Sequence, residues 1–404
     1  MKNILIFVLC LFLCGSLNAQ IYGCTDIRAN NFNPQARINN GTCTYDATTV
    51  TPFYTCNLPV QLNGTSGLVF FDNKLFSHND HYDKTLYQIS TDSGQIVDSI
   101  LLENVVYQDV EDMDQDSLYL YLGDLGNNGT GNRNNLHILR ISKSSMFTGN
   151  IEIDTIWFSY ADQDDFSATN SNATDFDCEA FVVAGDSIYL FTKQWNTYGT
   201  SLYVLPKFPG RHQAQFITHY HVEGLITSAN YNAETKQIVL CGYSSLLQPF
   251  LLLLYDYQDN DFFSGNKRKI NLNLPFHQVE AIAGLGNYQY YLTNEYISRY
   301  EVTIPAKFHK IDLSEFLSPE TVNVLDKDKN TGHFLIYPNP AKTNLFLDGE
   351  IEFSDIYVYD NCGKLVKTSN NCQQIALDNL VSGHYWLNIC HKNKIISIKH
   401  FIKE

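Results

Sequence analysis

The sequence predicts an all-β chain, a β-propeller of five or six blades followed by a small Ig-like β-sandwich, and three observations lead there. The composition holds 26 Tyr and 25 Phe beside abundant Asn, Asp and Thr, which favours short strands and turns over helices. The middle of the chain repeats one strand–turn–strand layout. The stretch from residue 333 to the end breaks into short strands separated by Pro, Asn and Gly turns.

Residues 1–19 carry one Lys, an apolar run and a small-residue exit at Asn18-Ala19-Gln20, the layout of a signal peptide cleaved after Ala19. The run is shorter than the ~20 apolar residues a membrane span needs, and no later stretch reaches that length. No transmembrane span is expected. Cys14 follows Leu13 instead of a small residue, which argues against lipid attachment. Export exposes the remaining cysteines to an oxidising environment.

Residues 20–56 read as a short cysteine module and linker. The segment is too polar and too short to build its own core, and a Cys24–Cys43 bridge would supply what burial cannot. Its pattern, Gly23-Cys24-Thr25-Asp26, then Ala29-Asn30-Asn31-Phe32-Asn33-Pro34, then Asn40-Gly41-Thr42-Cys43-Thr44-Tyr45, resembles a cysteine module found near the ends of secreted Bacteroidetes proteins.

Residues 57–320 hold the repeat. Segments opening at Gly67, Glu111, Glu179, Asn230 and Glu280 each run through a short apolar strand and a turn into a second strand. Those second strands end at Asp80, Asp124, Lys193, Tyr243 and Glu295, after 13, 13, 14, 13 and 15 residues. The openings recur at intervals of 44, 68, 51 and 50 residues, matching the ~40–50 residues of a four-stranded propeller blade. The long second interval is absorbed by an Asp/Ser/Asn-rich loop from Ala161 to Thr174. Five repeats give five blades, or six if strands near either end complete another. A stack of sandwiches would explain the strands but not the repeated opening residue.

A polar linker, residues 321–332, precedes residues 333–404. There Tyr337-Pro338-Asn339-Pro340-Ala341, the turn Tyr359-Asp360 through Gly363-Lys364, and Leu377 to Leu380 with Ser382-Gly383-His384-Tyr385 follow in order. Local reading gives an Ig-like sandwich. The ordered motifs resemble the type A sorting domain of type IX secretion, which implies the type IX machinery as a partner. They imply a protein released from the cell or held on the outer-membrane surface.

The formal net charge of −16 repels phosphate backbones and anionic membranes, so nucleic acid is excluded as a partner. In a propeller the first strand of each blade lines the central channel. The repeat therefore projects Glu111, Glu179, Asn230 and Glu280 toward one axis, with Asp80, Asp124, Lys193 and Glu295 at neighbouring strand ends. Facing carboxylates raise one another's pKa unless a cation compensates. A calcium ion held by Glu111, Glu179 and Glu280, or an Arg/Lys network, is the physical expectation. In the alternative, these residues are hydrogen-bonding links between blades.

The middle also resembles a group of secreted bacterial propellers through Ser66-Gly67-Leu68, His78-Asn79-Asp80, Asp109-Val110-Glu111-Asp112, Gly123-Asp124-Leu125-Gly126-Asn127-Asn128 with Arg133, and Glu280-Ala281-Ile282 with Tyr291 to Glu295. Val110 and Asn127 depart from the group's usual Trp and Asp. The group is distantly reminiscent of phytase-like propellers, whose acidic channels hold calcium for phosphate hydrolysis. The expected ligand-binding face is thus His78, Asp80, Glu111, Asp124, Arg133, Glu179, Lys193, Asn230, Glu280 and Glu295. The expected role is binding or adhesion to an extracellular ligand, the alternative a calcium-dependent phosphoesterase. No G-x-S-x-G elbow, P-loop or HExxH occurs.

Overall fold

The inner strand Cys178–Ala184 is buried along nearly its whole length, and an antiparallel strand with no wet face needs a packed layer on both sides. That requirement sets the architecture of the first unit. The computed structural model describes residues 20–299, 302–318, 334–349, 355–361, 363–370, 373–391 and 394–404. The expected signal peptide with its cleavage site, Cys14, the 321–332 linker, Cys362 and Cys372 lie outside the described residues. Two units divide the chain, residues 1–318 and 319–404.

In the first unit, four four-stranded meanders follow one another, each treated as one sheet although the outer strands of the second and third, Ile153–Tyr160 and Gly210–Tyr220, pair in parallel. They begin with Thr65–Phe71, Val110–Gln115, Cys178–Ala184 and Leu225–Asn232. The fifth comprises Val279–Gly284, Gln289–Asn294 and Lys307–Asp312, and takes Tyr54–Asn57 from the start of the chain as its outer strand. Apolar clusters fill each gap between consecutive sheets. Phe76 and Met113 join the first to the second, Tyr121 and Phe181 the second to the third, and Phe191 and Leu240 the third to the fourth. Leu251 and Ile282 continue to the fifth, and Leu68, Leu75, Ala281 and Phe308 return from the fifth to the first. The sheets make a closed, propeller-like ring. Truncating a wedge residue such as Phe181 to Ala would cost about 3–5 kcal/mol.

Two features depart from the expected boundaries. Thr49–Val50 pairs with the strand Asn266–Leu272, and Tyr54–Asn57 with Lys307–Asp312, so residues assigned to the linker before 57 belong to the sheets. The closing strand is only Tyr-Thr-Cys-Asn, with no apolar run to reveal it. Its place is decided by the open edge of a strand some 250 residues away in the chain. The stretch 161–177, in contrast, carries no strand, as its turn-rich composition predicts.

The cysteine module holds the Cys24–Cys43 disulfide and packs on the fourth sheet. Tyr255 Oη donates to Asp26 at 2.7 Å, Asn39 Nδ2 donates to Asn266 Oδ1 at 2.8 Å, and Arg268 lies 4.7 Å over the Tyr45 ring. Among the described residues no helix is long and apolar enough to cross a membrane.

The second unit contains a three-stranded sheet (Phe334–Tyr337, Asn344–Gly349, Gln374–Ala376) and a four-stranded sheet. The latter orders Leu365–Asn370, Asp355–Asp360, Gly383–His391 and Lys394–Lys403. Phe334, Leu345, Ile356, Leu387 and Phe401 form its core.

Candidate functional site

Every inner strand of the ring carries a β-bulge near its start. The pairing register skips Ser66, Glu111, Glu179, Thr227 and Glu280 in turn. A bulge releases one residue from the ladder and re-aims its side chain. Repeated five times at one level, it presents five side chains at the rim of the axis where the inner strands begin. Ser66 Oγ donates to the Glu111 carbonyl oxygen at 2.9 Å, and Thr227 Oγ1 to the Val279 carbonyl oxygen at 2.6 Å. These two hydroxyls tie neighbouring sheets together, and the three glutamates remain.

The register differs from the expected repeat in two places. Ser66, not Gly67, and Thr227, not Asn230, stand with the glutamates. Asn230 lies toward the other end of its strand, lining with Asp114, Tyr231 and Tyr290 a cavity of ≈350 Å³. Spacing alone missed this because the fourth inner strand has no acid at its bulge.

The three glutamates are buried around one cation. Lys193, 3% exposed, pairs with Glu179 and lies 4.0 Å from Glu280 Oε2, with its Nζ 5.1 Å and 5.2 Å from the Trp195 and Tyr243 ring centroids. Burial alone would lower the Lys193 pKa, but Glu179 and Glu280 raise it well above the ordinary lysine value. Burial also raises Glu179 far above the carboxylate range, against the pull of Lys193. Glu111 is raised by burial and then by Glu179, Asp109 and Asp177. Glu280 is pushed up to about 7, first by burial, with Lys193 opposing and Asp80 adding. Half-buried Glu295 is raised by burial and by Glu280 and Asp80. One ammonium stands against this many acids, so burial and mutual repulsion push the carboxyls toward their protonated forms.

Beside this ring sits a second group. His81 bridges Asp80 and Asp109, its Nε2 3.1 Å from Asp109 Oδ1. Asp109 is pushed up to about 6, by burial foremost, with His81 opposing. Asp177, also raised by burial, accepts from the Asn127 amide at 2.6 Å and Trp195 Nε1 at 2.7 Å.

Asp124 is spent on structure. It accepts from the Gln108 and Asp109 amides at 3.0 Å and 2.9 Å and pairs with Arg133 Nη1 at 2.9 Å. Arg133 Nη1 also donates to the Gly126 carbonyl oxygen at 2.6 Å, while its Nη2 is buried without a partner. His78 is buried, its Nδ1 3.0 Å from the Asn79 carbonyl oxygen, and desolvation drops its pKa to about 4. A Cβ at Gly126 would stand 2.2 Å from Asp109 Oδ2 and 2.4 Å from Glu111 Oε1, so only glycine lets these carboxyls approach the loop.

The structure thus gathers Asp80, Glu111, Glu179, Lys193, Glu280 and Glu295 on one rim, sets Asp124, Arg133 and His78 behind it, and leaves Asn230 elsewhere. Asp109, Asp177, Trp195 and Tyr243 join the site without having been singled out as ligand residues. The signal was present: Asp109-Val110-Glu111 and Asp177-Cys178-Glu179 share an acid two residues before the bulge. Among the described residues no three His, Cys, Asp or Glu side chains are placed to hold a metal ion, and Lys193 offsets part of the acidic charge.

The family model for the secretion system C-terminal sorting domain matches residues 335–404. A tail of this kind implies a type IX secretion cargo, secreted or at the cell surface. No curated protein matches the chain. Among solved structures the chain is similar to the glutaminyl cyclase of Myxococcus xanthus, with 14% identity over 66% of this chain and 99% of that one and a TM-score of 0.41. It is also similar to the WD40 repeats of RRP9, with 12% identity over 64% and 97% and a TM-score of 0.32. For U3-55K the identity is 11%, over 62% and 68%, with a TM-score of 0.29. At that distance none of the three bears on the chemistry of the site.

Proposed function

We propose that the five sheets are the blades of a five-bladed β-propeller, that the tail is an Ig-like sandwich read by the type IX machinery, and that the exported propeller is a binding protein. Its ligand places a cationic group at the acidic rim. The observation that carries this reading is the convergence of bulge-aimed Glu111, Glu179 and Glu280 around Lys193 alone, with Asp80 and Glu295 adding negative charge. A purely structural cluster would balance its charges; holding Glu280 at about 7 costs the folded state free energy at neutral pH that a cationic guest returns.

Calcium suits this site poorly. It takes six to eight oxygens, whereas Lys193 lies between Glu179 and Glu280. The phosphoesterase reading fares worse, because an incoming phosphate meets the same surplus of acids. The two strong cations near it, Lys193 and Arg133, are already paired with Glu179 and Asp124.

Calorimetry of the full exported chain with the end-blocked tripeptide Ser-Lys-Ser tests the reading. Binding is expected with proton release at pH 6–7, tenfold or more weaker in Glu111→Gln and Glu179→Gln. The Ser-Glu-Ser peptide should not bind. Absence of Ser-Lys-Ser binding, or equal binding of both peptides, would reject the proposal.

A further inference from the structure

The loops at the two ends of the ring are not alike. Those at the acidic rim join the second strand of each sheet to the third, or the last strand to the next sheet. They carry the exposed apolar residues Val60, Tyr82, Val106, Leu246, Phe276 and Tyr296, the first four 74%, 88%, 83% and 80% exposed. The turns at the opposite end carry Leu118, Phe147 and Phe208, and one face of Phe147 is taken by Lys74, whose Nζ lies 3.9 Å from its ring. Exposed apolar residues scattered singly are ordinary; a crown of them contributed by most of the sheets to one face is an interaction surface.

Backbone geometry weights the same face: of the five aromatic or aliphatic residues with a left-handed φ among the described residues, four lie there, and the fifth, Tyr288 at 65°, lies in a turn at the opposite end. Tyr82, Tyr198, Leu247 and Phe276 have φ of 53°, 53°, 56° and 66°, a left-handed conformation unfavourable for bulky residues. All four lie in rim loops. Such strain persists where ligands are clamped, and here it accompanies exposed Tyr82, Tyr198 and Phe276, with Leu247 half-buried beside them.

We infer that this crown docks a polypeptide segment in which a Lys or Arg is flanked by apolar residues, the cation entering the acidic rim and the flanks lying on the loop tips. The inference rests on the cation-binding reading above and adds the class of ligand. Three features select a polypeptide. The apolar tips include aliphatic residues, which suit Leu or Phe side chains better than sugar rings. The tips are spread over loops of the fourth, fifth and first sheets, successive around the ring. Between His81, Tyr82, Asp109, Asn127 and Arg133 a cavity of ≈160 Å³ opens at the rim, and the unpartnered Arg133 Nη2 lacks an acceptor that a main-chain carbonyl would provide. Charge sets the sign of the partner. The described residues of these loops hold eleven Asp and Glu against four Lys and Arg, which repels anionic lipid and favours a basic segment.

The test uses the full exported chain and fluorescence anisotropy with three labelled, end-blocked peptides: Phe-Leu-Ser-Lys-Ser-Leu-Phe, the same peptide with Glu replacing Lys, and Ser-Ser-Ser-Lys-Ser-Ser-Ser. The first is expected to bind at least tenfold more tightly than either other. Val60→Ser with Leu246→Ser, both surface changes, should erase that gain and leave the serine-flanked peptide unaffected. Equal binding of the two Lys peptides overturns the crown while leaving the rim reading in place. Equal binding of the Lys and Glu peptides, preferential capture by phosphatidylglycerol vesicles, or no binding at all overturns the inference. In the last case the Ser-Lys-Ser calorimetry shows whether the rim reading falls with it.

Discussion

Replacing Glu280 by Gln should stabilise the protein above neutral pH and leave it nearly unchanged in acid. Glu280 is 4% exposed and titrates at about 7 in the folded chain, against 4.5 when unperturbed. Its folded pKa is raised, so below pH 4.5 the carboxyl is protonated in both states and contributes no pH dependence. Between 4.5 and 7 the unfolded chain gives up a proton that the folded chain keeps, and stability falls by about 1.4 kcal/mol per pH unit. Above 7 the accumulated loss is about 3 kcal/mol. Glutamine keeps the shape, stays neutral and escapes this loss. For a unit of this size the difference amounts to about 5 °C in Tm. Denaturant unfolding of wild type and Glu280→Gln at pH 4.5, 6 and 8 should give curves that coincide in acid and separate as pH rises. Equal separation at all three pH values, or a variant weaker at pH 8 than at pH 4.5, would mean that Glu280 is held ionised by Lys193 and refute the excess-acid description.

Lys193→Met leaves Glu179 and Glu280 without their cation and should cost about 3–5 kcal/mol at pH 8, with much of it recovered at pH 5 as the acids protonate; urea unfolding at the two pH values measures it. Gly126→Ala drives a methyl into Asp109 and Glu111 and is expected to cost about 1–3 kcal/mol, together with loss of Ser-Lys-Ser binding; the same change at Gly129, where a Cβ meets nothing within 4 Å, should do neither. Reducing Cys24–Cys43, with its sequence separation of 19, removes about 3 kcal/mol of chain constraint. Hydrogen exchange should then accelerate within residues 20–48 while the inner strands keep their protection.

Much of the site was legible as spacing. Glu111, Glu179 and Glu280 open three repeats, and Lys193 and Glu295 close two of them, because a hairpin of fixed length returns to the rim it left. Asp124 was misleading for the same reason. It ends its strand one residue earlier than Asp80, Lys193 and Glu295, paired with Val110 across the bulge, so its carboxylate turns to the amides of residues 108 and 109 instead of the rim. Asn230 was misleading because a polar residue in an inner strand reads alike at either end. Only the bulge at Thr227 fixes which end is which.

By itself the sequence determined that this chain is β throughout, that its middle repeats five times, that two cysteines staple a polar N-terminal module and that its tail is a sorting signal. Alternation, turn residues and spacing are local properties, and local properties survive in a one-dimensional string. Tertiary structure alone decided that Tyr54–Asn57 closes the ring, that Ser66 and Thr227 complete the rim, and that a single buried lysine stands among the glutamates. Those outcomes depend on which open strand edge finds a partner and which side chains share a desolvated space. Both are settled by burial between residues far apart in the chain, where the cost of an unpaired amide or an uncompensated charge selects one arrangement.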